Sequence, residues 1–158
     1  MTKKLITILI LGACLVLLKP ATPEAMAGEK YSRIIWNYLE TLCGFGPRNP
    51  GSEGYQKTLE LIRLVGKKYA DQVVEQPFLV QVSEGKKIRM VNLELQFAGT
   101  QGGAPIIIGS HFDTRPFADQ ETDLEKQIKP ILGANDGGSS TAVLLALAHY
   151  LFQHPAPR

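Results

Sequence analysis

The sequence predicts an α/β fold: a three-layer sandwich with a mixed, mostly parallel central sheet, incomplete on its C-terminal side. Three observations predict it. Two amphipathic helical stripes come first, a pair of period-two segments follows, and an unalternating apolar run then leads through polar loops into a long apolar helix. An apolar run without alternation suits a strand covered on both faces, which needs parallel neighbours and helices on either side. No later strand follows in the 158 residues to supply them.

The first residues are set apart from the fold. Lys3 and Lys4 precede the apolar run 5–18, and Ala25-Met26-Ala27 has the small-residue spacing of a cleavage site, so residues 1–27 read as a secretory signal peptide and 28–158 as the folded domain. The run is shorter than the ~20 residues a membrane-spanning helix needs. Export to the periplasm or the extracellular space is therefore expected. Leu11-Gly12-Ala13-Cys14 resembles a bacterial lipobox, which would anchor the protein to a membrane through Cys14, although the apolar run continues past that cysteine.

Removing Lys3, Lys4, Lys19 and Glu24 with the leader leaves 14 basic and 14 acidic residues. A net charge of zero gives no footing for nucleic-acid binding. One cysteine, Cys43, remains, so no disulfide framework exists within the chain, and Cys43 reads as a small buried hydrophobe near a helix end.

Each element follows in order. Residues 31–42 place Ile34, Ile35, Tyr38, Leu39 and Leu42 at helical spacing, and Gly44 ends the helix. GFGPRNPGSEG cannot continue it. Ser52 is the expected N-cap of a second helix whose stripe is Tyr55, Leu59, Ile62 and Val65. Phe78, Val80 and Val82, then Val91, Leu93, Leu95 and Phe97, alternate with their neighbours as strands do, and Ser83-Glu84-Gly85-Lys86 makes the turn of a hairpin. Pro105-Ile106-Ile107-Ile108 is the doubly covered strand. The last helix, 140–152, is expected to bury Val143, Leu144, Leu147, Ala148 and Leu151.

In open α/β sheets functional groups gather past the carboxyl ends of strands, which is where His111 and Asp113 stand after the isoleucine run. In His-x-Asp the imidazole can bind a metal while the carboxylate orients it. Asp136, in a glycine-rich turn before the last helix, can reach the same cleft from a second loop. Residues 117–130 form a charged loop at the rim. Taken alone, each residue has a plainer reading, because Asp beside Gly is a common turn former and a lone loop His is commonly just polar. Other chemistries find less support. Asp113-Thr114 lacks the glycine of an Asp-Thr-Gly protease motif, Gly137-Gly138-Ser139-Ser140 has no Walker lysine and reads as a helix cap, and Gly-x-Ser-x-Gly is absent. His149 and His154 read as surface residues.

The ordered blocks GFGPRNPGSEGY, IIIGSHFDTRP and GANDGGSSTAVLLALA, spanning residues 44–148, resemble the amino-terminal half of the zinc aminopeptidase and glutaminyl cyclase superfamily. Two-zinc aminopeptidases tend toward Asp-Asp-Asn in the third block, whereas Ala134-Asn135-Asp136-Gly137 looks more like bacterial glutaminyl cyclase-like proteins. The resemblance implies zinc as cofactor, with Asp136 a ligand in either branch, His111 a ligand in the two-zinc branch but a residue that lines the site without holding metal in a one-zinc cyclase, and Asp113 behind the ligands, orienting them. It implies substrates that are peptide or protein N termini. A cyclase turns an N-terminal Gln into pyroglutamate and releases ammonia, while an aminopeptidase hydrolyses the first peptide bond. The family's general base and remaining ligands fall downstream of the helix ending near Phe152, so no catalytic residue is assigned within the chain. A truncated cyclase-like enzyme is the expectation. A zinc aminopeptidase and a non-catalytic binding module are the alternatives.

Overall fold

The computed structural model describes residues 23–83 and 85–156. The leader and Cys14 lie outside the described residues apart from its last few positions. The element order is α1 (Pro23–Gly44), α2 (Glu53–Tyr69), β1 (Gln72–Ser83), β2 (Lys86–Gln96), α3 (Leu124–Gln127) and α4 (Ser140–Gln153). The chain is a partial α/β fold.

Helix α1 starts at Pro23, eight residues before the expected Tyr31. Proline suits a first helical turn because it lacks only an N–H that would have no intrahelical partner. The expected stripe begins beside the first tertiary contacts, where Lys30 and Tyr31 both donate to the Gln153 side chain, and so marks the packed part of the helix rather than its start. At the other end Gly46 turns the chain with φ +80°.

Helix α2 forms as expected. The Ser52 hydroxyl accepts from the Tyr55 N–H at 3.1 Å and donates to the Pro47 carbonyl at 2.9 Å, which caps the helix and fixes the preceding loop. Tyr55, Leu59, Ile62 and Val65 are all buried. Ile62 and Val65 join Leu145 and Ala148 of α4 in a core cluster, onto which Leu93 and Leu95 of β2 pack. Gly66 allows this close approach, since a Cβ there would stand 2.5 Å from Leu95 Cδ2 and 2.6 Å from Val73 Cγ2.

Strands β1 and β2 form an antiparallel hairpin with Val73 opposite Leu95, Glu75 opposite Leu93 and Phe78 opposite Met90. A bulge between Gln81 and Ser83 precedes the turn, where Gly85 has φ +78°. Arg63 of α2 grips Glu75 of β1 with two hydrogen bonds of 2.7 and 2.8 Å, which holds Glu75 below the usual carboxylate range. Toward its tip the hairpin leaves the helices, and Leu79 is 64% exposed.

Two expectations need correction. Residues 105–108 form no strand among the described residues, and Ile106, Ile107 and Ile108 are exposed. The only sheet among those residues is the two-stranded hairpin, so no partner strand lies beside the isoleucines. A strand exists only through its neighbours, and apolar sequence alone does not make one. Helix α4 also turns a different face inward: Thr141, Ala142, Leu145, Ala146 and Ala148 are buried, whereas Val143 is 47% exposed. Nearly every position of this helix is apolar, so periodicity could not choose a face.

Candidate metal-binding half-site

Two loops meet at the start of α4. The first carries His111 and Asp113. The second, Ala134–Ser139, breaks helical geometry at Asp136 (φ −81°, ψ 104°) and Gly137 (φ +80°, ψ −33°), and this kink throws the Asp136 side chain toward the first loop. His111 Nε2 lies 3.0 Å from Asp136 Oδ1, and His111 Nδ1 lies 3.4 Å from Asp113 Oδ1 and 3.2 Å from the Asp113 carbonyl. The three residues singled out in the sequence are therefore brought together. Asp136 is the most exposed of them, with a side chain 74% accessible, and Asp113 the least, at 34%.

The approach is close because Gly137 has no side chain. A Cβ there would stand 3.0 Å from both Cε1 and Nδ1 of His111 and 3.1 Å from the Asp113 carbonyl oxygen. The positive φ favours glycine as well. Hydroxyls of the α4 entrance fasten the first loop: Thr141 Oγ1 donates to the His111 carbonyl at 3.0 Å, as does Ser110 Oγ, which also lies 2.6 Å from Ser140 Oγ. The expected cap at this helix start is not made by Ser139. Its hydroxyl donates back to the Asn135 carbonyl at 2.8 Å and bonds the second loop to itself.

Behind the loops lies Arg48, fully buried, which the sequence did not single out. Its guanidinium donates to four backbone carbonyls: Phe112 (2.7 Å), Leu132 (2.5 Å), Gly133 (2.8 Å) and Leu42 (3.3 Å). Burial pushes its pKa below the ordinary arginine value, and the Asp113 carboxylate partly opposes that. The one signal in the sequence is a charged side chain inside a Gly/Pro-rich stretch. Tyr55 supports the first loop from the other side, its ring 5.0 Å from that of Phe112 and its hydroxyl accepting from the Val91 N–H at 3.3 Å. Burial raises the Tyr55 pKa, so the phenol stays neutral.

Other expectations resolve as follows. His149 is half-buried and stacks on Tyr69 at 4.8 Å between α2 and α4. His154 is exposed and sits against Tyr150. Neither approaches the half-site. Cys43 is a free, half-buried thiol. The rim segment 117–130 is more regular than a loop, since Asp123 caps the single turn of α3 by accepting from the Glu125 N–H at 3.0 Å.

A tetrahedral zinc bound at ~2.0–2.1 Å places neighbouring ligand atoms ~3.3 Å apart. The Nε2–Oδ1 separation of 3.0 Å is close to that edge, and both atoms are reachable from solvent. Two donors are fewer than the three protein ligands of a catalytic zinc. No group of three or more His, Cys, Asp or Glu able to hold a metal occurs among the described residues. The residues present thus fit one edge of a zinc site and do not fit a complete one.

The model of peptidase family M28 matches residues 92–158, which contain His111, Asp113 and Asp136 but not the supporting Arg48 and Tyr55. Among solved structures, the chain is similar to the glutaminyl cyclase of Fimbriiglobus ruber, with 34% identity and a TM-score of 0.72 over 80% of this chain and 42% of that one. It is also similar to the Tannerella forsythia glutaminyl cyclase, with 27% identity and a TM-score of 0.67 over 78% and 42%. A Zn-dependent exopeptidase from Parabacteroides distasonis shares the fold, with 24% identity and a TM-score of 0.67 over 78% and 42%. No curated protein matches the chain. The chain spans about two fifths of the length of these solved structures. Fold, family match and the ordered loops agree: the chain belongs to the superfamily of M28 peptidases and bacterial glutaminyl cyclases.

Proposed function

We propose that the chain is the amino-terminal part of a zinc-dependent glutaminyl-peptide cyclotransferase, in which His111 and Asp136 face the metal and Asp113 orients His111. The observation that carries this is the convergence of His111 Nε2 and Asp136 Oδ1 at 3.0 Å from two separate loops, in a chain 34% identical to a glutaminyl cyclase over most of its length. Zinc, when bound, acts on a carbonyl as a Lewis acid. This chain's own contribution is positional. The Asp113 carbonyl accepts from the imidazole Nδ1 edge at 3.2 Å, with the Asp113 carboxylate 3.4 Å away, so that Nε2 points at the cleft, and Gly137 leaves room for the ring. The substrates are peptide or protein N termini carrying Gln. Export follows from the leader pattern and is part of the same proposal. Among the described residues no helix is long and apolar enough to cross a membrane.

The family match to M28 peptidases favours an aminopeptidase as the second reading. The test incubates the full product of the gene with Gln-initiated and Leu-initiated peptides. Ammonia and pyroglutamate without a free amino acid establish the cyclase, and release of free Leu establishes the peptidase. Absence of both products with zinc bound would leave a non-catalytic binding module and sink the enzymatic reading. Reading the gene past codon 158 is the cheaper check, because an absence of further Glu and His ligands there also removes the chemistry.

A further inference from the structure

The two loops of the half-site pack closely at Gly137 and His111, and their separation must be held to a few tenths of an ångström for His111 and Asp136 to share one target. We infer that Arg48 is the positioning residue that sets this separation. Its guanidinium bonds the Phe112 carbonyl, between His111 and Asp113, and at the same time the Leu132 and Gly133 carbonyls, just before Asp136. A third anchor is the Leu42 carbonyl near the end of α1.

The backbone of Arg48 repeats the clamp. Its N–H donates to Thr114 Oγ1 at 2.9 Å, and the Thr114 N–H donates to its carbonyl at 3.3 Å. The surroundings leave space for the fork and for nothing larger. A Cβ on Gly133 would stand 3.0 Å from Arg48 Nη2, and one on Gly138 would stand 3.4 Å from it.

The chemistry selects arginine. A planar fork offers donors in fixed directions to several carbonyls at once, whereas a lysine ammonium is a single point with a strong hydration shell. Among the described residues no carboxylate hydrogen-bonds this buried cation, so its charge is balanced by carbonyl dipoles, and Asp113 adds a longer-range attraction. Such a group ties the geometry of the two loops together: moving either loop away strips partners from a buried charge.

The test is an NMR comparison of the full chain with Arg48→Lys and Arg48→Gln. The neutral Gln variant covers the case in which a buried ammonium unfolds the protein. Leu59→Ala, which opens the core of α2 without removing any hydrogen bond to the loops, controls for general loss of stability. The readouts are the nuclear Overhauser contact between the Gly137 α-protons and the His111 ring, and exchange of the Thr114 and Gly138 amides. In both Arg48 variants the contact is expected to vanish and the two amides to exchange about tenfold faster or more. Amides of α2, such as Thr58, stay as they were. In Leu59→Ala the contact is expected to persist.

Persistence of the Gly137–His111 contact in a folded Arg48 variant overturns the inference, as does its loss in Leu59→Ala to the same degree. Cobalt binding, followed by its visible spectrum, is measured beside it because the inference deepens the proposed zinc reading. If the full product of the gene takes up no cobalt while the contact still depends on Arg48, the zinc reading fails and the positioning role stands.

Discussion

The bare α-carbon of Gly137 faces the His111 ring, so closely that a methyl group there would press on Cε1 and Nδ1 at 3.0 Å. Gly137→Ala is expected to cost about 1–3 kcal/mol through backbone strain at φ +80°. It should also swing the imidazole away from Asp136. Thermal melting and cobalt binding measure the two effects. An alanine variant with unchanged binding would mean the ring has room the structure does not show.

Metal retention by this chain is expected to be weak, because the described residues provide two donors. After dialysis the chain should hold far less than one zinc per molecule by elemental analysis. Under excess metal, His111→Ala and Asp136→Asn should each remove the residual binding. Asp113→Asn should weaken it about 10–100-fold, as loss of an orienting carboxylate does. Stoichiometric zinc after dialysis would show ligands beyond this pair.

Close packing of α2 on the hairpin depends on Gly66. Gly66→Val would drive methyl groups into Leu95 and Val73, at sites already 2.5 and 2.6 Å from an added Cβ. Overpacking of this kind costs about 1–3 kcal/mol. The urea midpoint should fall, and an unshifted midpoint would mean that the sheet slides freely on the helix.

His149 makes stability depend on pH. Burial, Lys30 and Lys68 all lower its pKa from 6.5, so the folded protein favours the neutral ring more than the unfolded chain does. That contribution is fully present above the unfolded value and is lost as pH falls through the folded one. The melting temperature should therefore drop between roughly pH 7 and pH 5, the window in which histidine charges. His149→Phe, which keeps a ring against Tyr69, should flatten the drop. An equal slope in the Phe variant would assign the dependence elsewhere.

Local signals carried most of the elements. Ser52 and the stripe from Tyr55 to Val65 could be read directly because capping and helical periodicity are properties of a few adjacent residues. The hairpin was legible from its alternation and from Gly85 at the turn. What failed was non-local. Residues 105–108 have strand sequence without strand neighbours, and the inward face of α4 is decided by what packs on it, since its own pattern is apolar all round. The meeting of His111, Asp113 and Asp136 was anticipated from fold-level placement of the loops past a strand end, and it occurs although that strand does not form. Arg48 was missed because its significance lies in four carbonyls from three separate segments, three of those carbonyls more than sixty residues away.

The exposed isoleucines bear on how the protein must be handled. Ile107 is 91% exposed, and among the described residues no backbone–backbone hydrogen bond reaches 105–111. A bare apolar segment with free peptide groups attracts any similar segment, so self-association rises with concentration even while every helix stays folded. Solubility, more than unfolding free energy, then sets the working range of this chain. Light scattering against concentration describes it better than a melting curve does.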